Sequence, residues 1–474
     1  MNKTKVIVTV GPACRTQEQI AALIAEGADV FRLNFSHGTR EDHAQAIHAI
    51  RAAAGAAGAS VAILGDLGGP KIRLTDVDGG AFEIRPDQLV TVRAGACPST
   101  PDCLCTNYDG LAEDVQIGHR VLIDDGQIRL RVVDKAGGSL ACRCEAGGVV
   151  ASRKGINLPD TRLSLPSLTD KDRADLAFAV EHELDYIALS FVRCPEDLHQ
   201  LRGEIKRLGR EIRVVAKIER PEAIEHLDEI IEISDAVMVA RGDLGVEMDV
   251  SRVPLIQKEI THRCARVGRP VIVATQMLQS MVEAPVPTRA EVSDIANAIL
   301  DGADAVMLSA ETSVGKNPVQ ALRVIRSIAA QTEAFLAGRP EDAIPRVSPA
   351  SLRFASAIVH GAACIARELN VRLMAAWTES GATARLLSKR RPPQWIVGLT
   401  SDERVCRWMA LYYGVFPVRL PRSDPVRQMT RDVDRVLLER GLAAPGDMIV
   451  ILTGAHLRQP GATNALLIHL VGPA

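Results

Sequence analysis

The strongest case for chemistry in this sequence lies in the stretch 214–246. It reads V-V-A-K-I-E, then a helical interval, then A-V-M-V-A-R-G-D-L-G-V. Lys217 and Glu219 stand two apart at the end of an apolar run, which places them on one side of a strand. Asp243 follows the next apolar run, behind Arg241 and Gly242. One cation and two carboxylates therefore meet at two adjacent strand ends. Unpaired charge in a core is costly, so packing alone gives this group no purpose. A divalent cation with an anionic substrate would satisfy all three.

The elements that must hold these residues alternate. Apolar, strand-like runs occur at 5–10, 30–33, 61–64, 186–191, 214–218, 236–239, 270–274 and 305–308, each followed by a segment of helical periodicity. Thr16 with Gln19, Thr39 with Asp42, Thr169 with Asp172 and Thr288 with Glu291 are expected to cap the starts of four of these helices. Near-continuous apolar strands imply burial on both faces. Eight strand–helix units predict a closed (β/α)8 barrel, with its chemistry at the C-terminal strand ends. The rival, an open doubly wound sheet, does not need polar residues at the ends of nearly all eight strands.

The alternation breaks between the third and fourth units. Short strand-like pieces at 81–84, 89–92, 120–123, 127–133 and 140–145, separated by glycine-rich turns, predict a small all-β domain, a small β-barrel, inserted after strand three. A linker rich in Gly, Pro and Ala at 337–349 leads to a further α/β sandwich with strands at 371–377, 395–399, 415–418, 448–452 and 466–470. The expected division is 1–73 and 166–340 for the barrel, 74–165 for the insert and 341–474 for the C-terminal domain.

With 474 residues the chain exceeds a single core. Its 56 basic and 58 acidic side chains nearly cancel, and no basic run argues for nucleic acid. No apolar run reaches membrane-spanning length. The first residues enter a strand at once, leaving no room for a signal peptide, so a cytoplasmic protein with reduced thiols is expected. The ten cysteines are scattered, and the C-x-C pairs Cys103/Cys105 and Cys142/Cys144 read as ordinary thiols rather than zinc ligands.

Around the expected barrel mouth stand Arg32, Asn34, Ser36, His37, Asp66, Lys71, Arg73, Phe191, Arg241, Gly242, Thr275 and Glu311 besides the central trio. Carboxylates suit a hard cation such as Mg2+ or Mn2+. Arginine and lysine suit phosphate oxygens. Backbone N–H groups after Gly242 could receive a carboxylate. Together they point to metal-assisted chemistry on a phosphorylated or carboxylated small molecule.

Six segments carry a family resemblance: R-L-N-F-S-H-G at 32–38, D-L-G-G-P-K-I-R at 66–73, K-I-E at 217–219, A-R-G-D-L-G at 240–245, A-T-Q-M-L at 274–278 and M-L-S-A-E-T at 307–312. In order and spacing they closely resemble the signature segments of pyruvate kinases, and the resemblance spans essentially the whole chain. It implies transfer of a phosphoryl group from phosphoenolpyruvate to ADP. It assigns Glu219 and Asp243 to the metal, Arg32 and Lys217 to the phosphoryl group, and Gly242, Asp243 and Thr275 to the substrate. Lys154 resembles a family lysine near the nucleotide, with Arg73, His37 and Asp125 as further nucleotide candidates. The insert is expected to act as a lid that excludes water.

One departure is informative. Many family members carry T-K-G-P-E where this chain has L-G-G-P-K at 67–71, and they require K+. Lys71 can supply a positive charge in place of the ion, with Asn34, Ser36 and Asp66 as its neighbours, so K+ independence is expected. The family lysine of that loop is Gly68 here. In the C-terminal domain, Thr378, Ser380, Gly381, Ala382 and Thr383 resemble the family's allosteric phosphate-ester pocket, with Arg385, Lys389, Arg390 and Arg391 adding charge and the 454–461 loop covering it. The family also implies a homotetramer. The alternative reading is a metal-dependent barrel lyase or aldolase acting on 2-oxo acids, which gives the insert and Lys154 no task; a non-catalytic scaffold does not need Lys217, Glu219 or Asp243.

Overall fold

The computed structural model describes residues 2–337, 353–421, 426–454 and 463–472. The linker expected at 337–349 lies outside them beyond residue 337, as does the 454–461 loop beyond residue 454. Strands β1 (Lys5–Thr9), β2 (Val30–Asn34), β3 (Ala62–Asp66), β4 (Tyr186–Leu189), β5 (Arg213–Ile218), β6 (Ala236–Ala240), β7 (Val271–Ala274) and β8 (Ala305–Leu308) close into a barrel. Its order is β1-β8-β7-β6-β5-β4-β3-β2, every pair parallel. All four expected capping boxes form, each pairing a threonine hydroxyl with the N3 backbone and the N3 side chain with the cap N–H. These reciprocal bonds satisfy donors that a helix start leaves free.

Alternation along the strands sorts the barrel interior into layers. Val30 is followed on the same side by Arg32 and Asn34, Leu64 by Asp66, Ala188 by Ser190, and Val215 by Lys217 and Glu219. The lower layers are apolar and merge with the core beneath the barrel. The top layer is charged. The outward faces of the strands pack on the surrounding helices in a separate apolar layer.

The insert is β-rich. Ile156–Asn157, Arg120–Ile123, Ile128–Ala136, Ser139–Ala146, Leu89–Ala94 and Cys103–Thr106 form one six-stranded sheet, and Gly148–Ala151 pairs with Ala81–Ile84 beside it. Its core is its own. Cys142 and Cys144 are buried there as free thiols, on the inward face of one strand; burial pushes the Cys142 thiol up to about 12. Cys105 departs from the expectation of reduced thiols, because it is joined to Cys97 in a disulfide with Cα atoms 6.1 Å apart. The turn bonds between Thr100 and Cys103 fold the segment back on itself and bring the two thiols together, a pairing that C-x-C spacing does not suggest.

The C-terminal strands β9 (Leu373–Trp377), β10 (Trp395–Thr400), β11 (Val415–Arg419), β12 (Met448–Thr453) and β13 (Ala465–Leu470) form a sheet in the order β11-β10-β9-β12-β13, with β13 antiparallel at the edge. This domain closes the barrel floor. Tyr186 donates its hydroxyl to the Trp408 carbonyl at 2.5 Å. Lys389 pairs with Asp304 at 2.6 Å, and Arg391 reaches the same carboxylate. Arg407 holds Asp185 at 2.7 Å, and Arg385 donates to the Gly268 carbonyl. Arg390 donates to Ser356. The charge expected from Arg385, Lys389 and Arg391 at an effector pocket is therefore spent on the barrel, because the chain from the helix Ala382–Ser388 onward buries one flank against it, while Arg390 turns to Ser356 within the C-terminal domain. Among the described residues no helix is long and apolar enough to cross a membrane.

The Lys389–Asp304 pair is almost wholly buried, and removing Lys389 leaves a buried carboxylate with the longer Arg391 contact in place of its closest cation. Lys389→Met is expected to cost about 3 kcal/mol, read as an earlier urea midpoint; an unchanged midpoint would show the contact to be dispensable.

Candidate active site

Lys217 is the centre of the charged layer. Its ammonium donates to the Ser190 hydroxyl at 2.7 Å, pairs with Glu219 at 2.8 Å and lies 3.3 Å from Asp66. Asp66 also receives Arg32 Nε at 2.7 Å, and Arg32 donates from Nη1 to Thr9 at 3.2 Å. Burial opposes the Lys217 charge, but Asp66, Glu219 and Asp243 outweigh it and raise its pKa. For Asp66, burial is likewise outweighed by Lys217 and Arg32, which hold its carboxyl below the usual range.

Glu219 behaves differently. Burial is again the largest influence, and the charge of Asp243 adds to it against Lys217, so its pKa is raised. Its second oxygen accepts the Phe191 N–H at 2.7 Å. Glu219 and Asp243 thus share more negative charge than Lys217 cancels, which fits a cation between them. Among the described residues no three His, Cys, Asp or Glu side chains gather as a ready metal cage. Two carboxylates completed by substrate oxygens and water are the usual shell of Mg2+.

Thr275 adopts φ 69°, and Gln276 beside it φ 55°. A left-handed β-branched residue is strained, and such strain collects at functional sites. The Thr275 hydroxyl accepts the Gly242 N–H at 2.7 Å and donates to the Ala274 carbonyl at 2.6 Å. It therefore fixes the start of the helix Arg241–Glu247 that carries Asp243. A side chain at Gly242 would put Cβ 3.3 Å from that hydroxyl. Arg241 is committed to Asp294 and the Thr275 carbonyl, and Glu311 to the backbone of Leu278 and Ser309. Neither is free for substrate.

Above this layer lies a cleft of ≈ 290 Å³ between barrel and insert, lined among others by Lys71, Arg73, Asp125, Lys154, Phe191 and Asp243. Lys154 pairs with Asp124 at 2.9 Å. Burial and the charges of Asp243 and Asp124 push the Asp125 carboxyl up, and the hairpin tip of the insert shares the cleft with Asp243. Lys71 stands exposed at the rim, yet crowding desolvates its ammonium. That effect and the Lys217 charge lower its pKa, against Asp243, Glu219 and Asp66. No hydrogen bond joins the Lys71 ammonium to Asn34, Ser36 or Asp66 among the described residues; Asn34 instead accepts the Ser36 N–H at 3.2 Å. His37 lies on the surface beside the cleft.

Sequence reasoning missed Ser190, the acceptor of the Lys217 ammonium, although it ends strand β4 as the other site residues end theirs. It also missed Arg153, Asn157, Arg193, Arg220 and Glu247, all in the cleft wall. In the C-terminal domain Thr378 and Thr383 are buried, Thr383 meets the Thr463 hydroxyl at 2.5 Å, and Ser380 gives its carbonyl to Arg213. Gly381 takes φ 78° just before Ala382 opens the helix.

Barrel, β-rich insert and charged mouth define an enzyme that acts on an anionic small molecule. The chain belongs to the pyruvate kinase family: residues 1–322 match the pyruvate kinase barrel domain and residues 356–469 its alpha/beta domain. A pyruvate kinase of Mycobacterium tuberculosis is 42% identical over 469 residues, covering 99% of this chain and 98% of the relative. One from Geobacillus stearothermophilus is 40% identical, covering 99% of this chain and 80% of the relative. The crystal structure of a pyruvate kinase from Cryptosporidium parvum superposes with a TM-score of 0.91 at 34% identity, covering 99% of this chain and 96% of that one.

Desolvation and the charges of Lys71, Arg73 and Arg32 hold the His37 imidazole below its ordinary value of 6.5. Titration of its ring protons by NMR should give a midpoint under that value. A midpoint above it would mean that these cations do not reach the ring.

Proposed function

We propose that this protein transfers the phosphoryl group of phosphoenolpyruvate to ADP and protonates the enolpyruvate left behind, with Mg2+ or Mn2+ and without K+. The observation that carries the reading is the Lys217 ammonium, buried among Asp66, Glu219 and Ser190 at the mouth of the barrel. Phosphoryl transfer spreads charge over equatorial oxygens, so catalysis is mostly positioning and electrostatics. Arg32 and Lys217 supply fixed positive charge on one side of that centre. Glu219 and Asp243 would hold the metal, which neutralises substrate oxygens when bound.

No general base is required for ADP, whose terminal oxygen is already anionic. As the P–O bond breaks, Lys217 faces the enolate oxygen. Thr275 keeps one lone pair beyond its two bonds, which can accept from a water but not pair with the ionised substrate carboxylate, because the hydroxyl proton already goes to the Ala274 carbonyl. The lid residues Lys154 and Asp125, with Arg73 and His37 below, would receive the nucleotide and keep competing water out.

Lys71 replaces the monovalent cation in this reading. Its ammonium feels the carboxylates of Asp243, Glu219 and Asp66, and Asp66 belongs to the set that such an ion would meet. Asn34 and Ser36 belong to the same rim. We assign Thr378, Ser380, Gly381, Ala382 and Thr383 to a phosphate-ester effector through hydroxyl and backbone N–H groups, without the arginines that pack on the barrel. A cytoplasmic homotetramer is part of the same reading. Leu255 on the barrel surface and Ile468 and Leu470 on the edge strand β13 are exposed apolar positions suited to further copies of the chain.

A coupled assay for pyruvate from phosphoenolpyruvate and ADP tests the activity directly. Turnover should persist in buffer free of K+ and NH4+, and stimulation of about tenfold by KCl at matched ionic strength would contradict the role of Lys71. Lys217→Ala should cut kcat by at least ~10²-fold, the cost of losing one donor to a developing oxyanion, while circular dichroism reports an intact fold. Near-normal turnover in that variant would remove Lys217 from the mechanism.

A further inference from the structure

The chain crosses from lid to barrel beside a buried cluster outside the charged layer. Glu247, 3% exposed, ends the helix that begins with Arg241, Gly242 and Asp243. One of its carboxylate oxygens accepts Arg220 Nη1 at 2.7 Å. The other accepts the side-chain amide of Asn157 at 2.7 Å. Arg220 is fixed independently of the lid sheet by Glu222 at 2.9 Å, and it also donates to the Thr161 carbonyl at 3.1 Å.

The two halves of this cluster belong to different bodies. Asn157 lies in the strand Ile156–Asn157, which pairs with Arg120–Ile123 inside the lid sheet. Glu247 and Arg220 belong to the barrel. Each member is also a short step from a site residue. Asn157 follows Lys154 by three positions, Glu247 lies one helical turn beyond Asp243, and Arg220 directly follows Glu219. Gly126, at the tip of the facing lid hairpin, approaches the same helix at Val246.

We propose that Asn157 and Glu247 form a positioning latch that sets the lid strand carrying Lys154 against the helix carrying Asp243, with Arg220 as its fixed post. The latch rests on the pyruvate kinase reading of the site, and neither residue touches the reacting atoms. The Arg220–Glu247 pair keeps the carboxylate in place whatever the lid does. The amide–carboxylate bond is the one that reaches the lid sheet itself, since Thr161 lies in the returning segment after it. That bond is weak enough to break and reform in each turnover, because water can replace the amide when the lid lifts. A cation at position 157 would bind too firmly for that, and an apolar side chain would leave one oxygen of a buried carboxylate without a donor.

The test exchanges the polarity of the bond. Asn157→Asp sets two carboxylates face to face and should raise KM for ADP about tenfold or more, while KM for phosphoenolpyruvate stays within about twofold. Adding Glu247→Gln restores a donor and an acceptor and should recover most of the loss. Calorimetric titration of ADP should show the same loss and recovery without turnover. Proton exchange at C3 of pyruvate, run with the divalent metal and inorganic phosphate and no nucleotide, should be unaffected by Asn157→Asp. An unchanged KM for ADP overturns the latch, as does a double variant no better than the single one. Equal losses for both substrates and for proton exchange would also overturn it, showing general damage to the fold. An unaltered protein that makes no pyruvate in the coupled assay would instead refute the functional reading, and the ADP titrations would still report on the latch.

Discussion

Keeping the Lys217 ammonium charged inside a closed barrel is the constraint on which this structure turns. Burial opposes the charge, and three carboxylates and one hydroxyl must surround it to outweigh that opposition. Asp66 comes from β3, Ser190 from the end of β4, Glu219 from β5 and Asp243 from the helix after β6. No local segment could gather these groups, because alternation within one strand offers at most two of them on a side. The barrel is the device that brings four strand ends within reach of one ammonium.

The same cluster leaves negative charge over. Asp66 is neutralised twice, by Lys217 and Arg32, whereas Glu219 and Asp243 share what remains of Lys217. That asymmetry separates two carboxylates of similar burial into one held ionised by two cations and one left with excess negative charge around it. The strained backbone at Thr275 serves the same end, since its hydroxyl fixes the helix start on which Asp243 sits.

The floor of the barrel repeats one device with a different purpose. Asp29, Asp185, Asp235 and Asp304 each precede a strand and accept the backbone N–H of Val6, Ile63, Val214 or Val271 on a neighbouring chain segment. All four also receive cations: Asp29 from Lys5, Asp185 from Arg51 and Arg407, Asp304 from Lys389 and Arg391, and Asp235 from Arg202 and Arg213. Arg213 in turn donates to the Ser380 carbonyl of the loop after β9. The floor thereby joins the C-terminal domain to the strand whose other end carries Lys217 and Glu219.

Sequence alone determined the eight strand–helix units, their capping threonines, the interruption by a β-rich insert and the trio Lys217, Glu219 and Asp243, because periodicity, capping and charge at strand ends are local properties. The aspartates before the strands were equally local and were overlooked. Tertiary structure decided what depends on distant partners. It turned Arg385, Lys389 and Arg391 from an effector pocket to the barrel floor and Arg390 to Ser356, committed Arg241 to Asp294 and Glu311 to backbone contacts, and joined Cys97 to Cys105. It also supplied Ser190 for the ammonium and set Asn157 against Glu247 across 90 positions of chain. Residue type and spacing state which charges are present. Only closure of the barrel and packing of the insert beside it state which of them meet, since a charge pairs with what lies nearest in space.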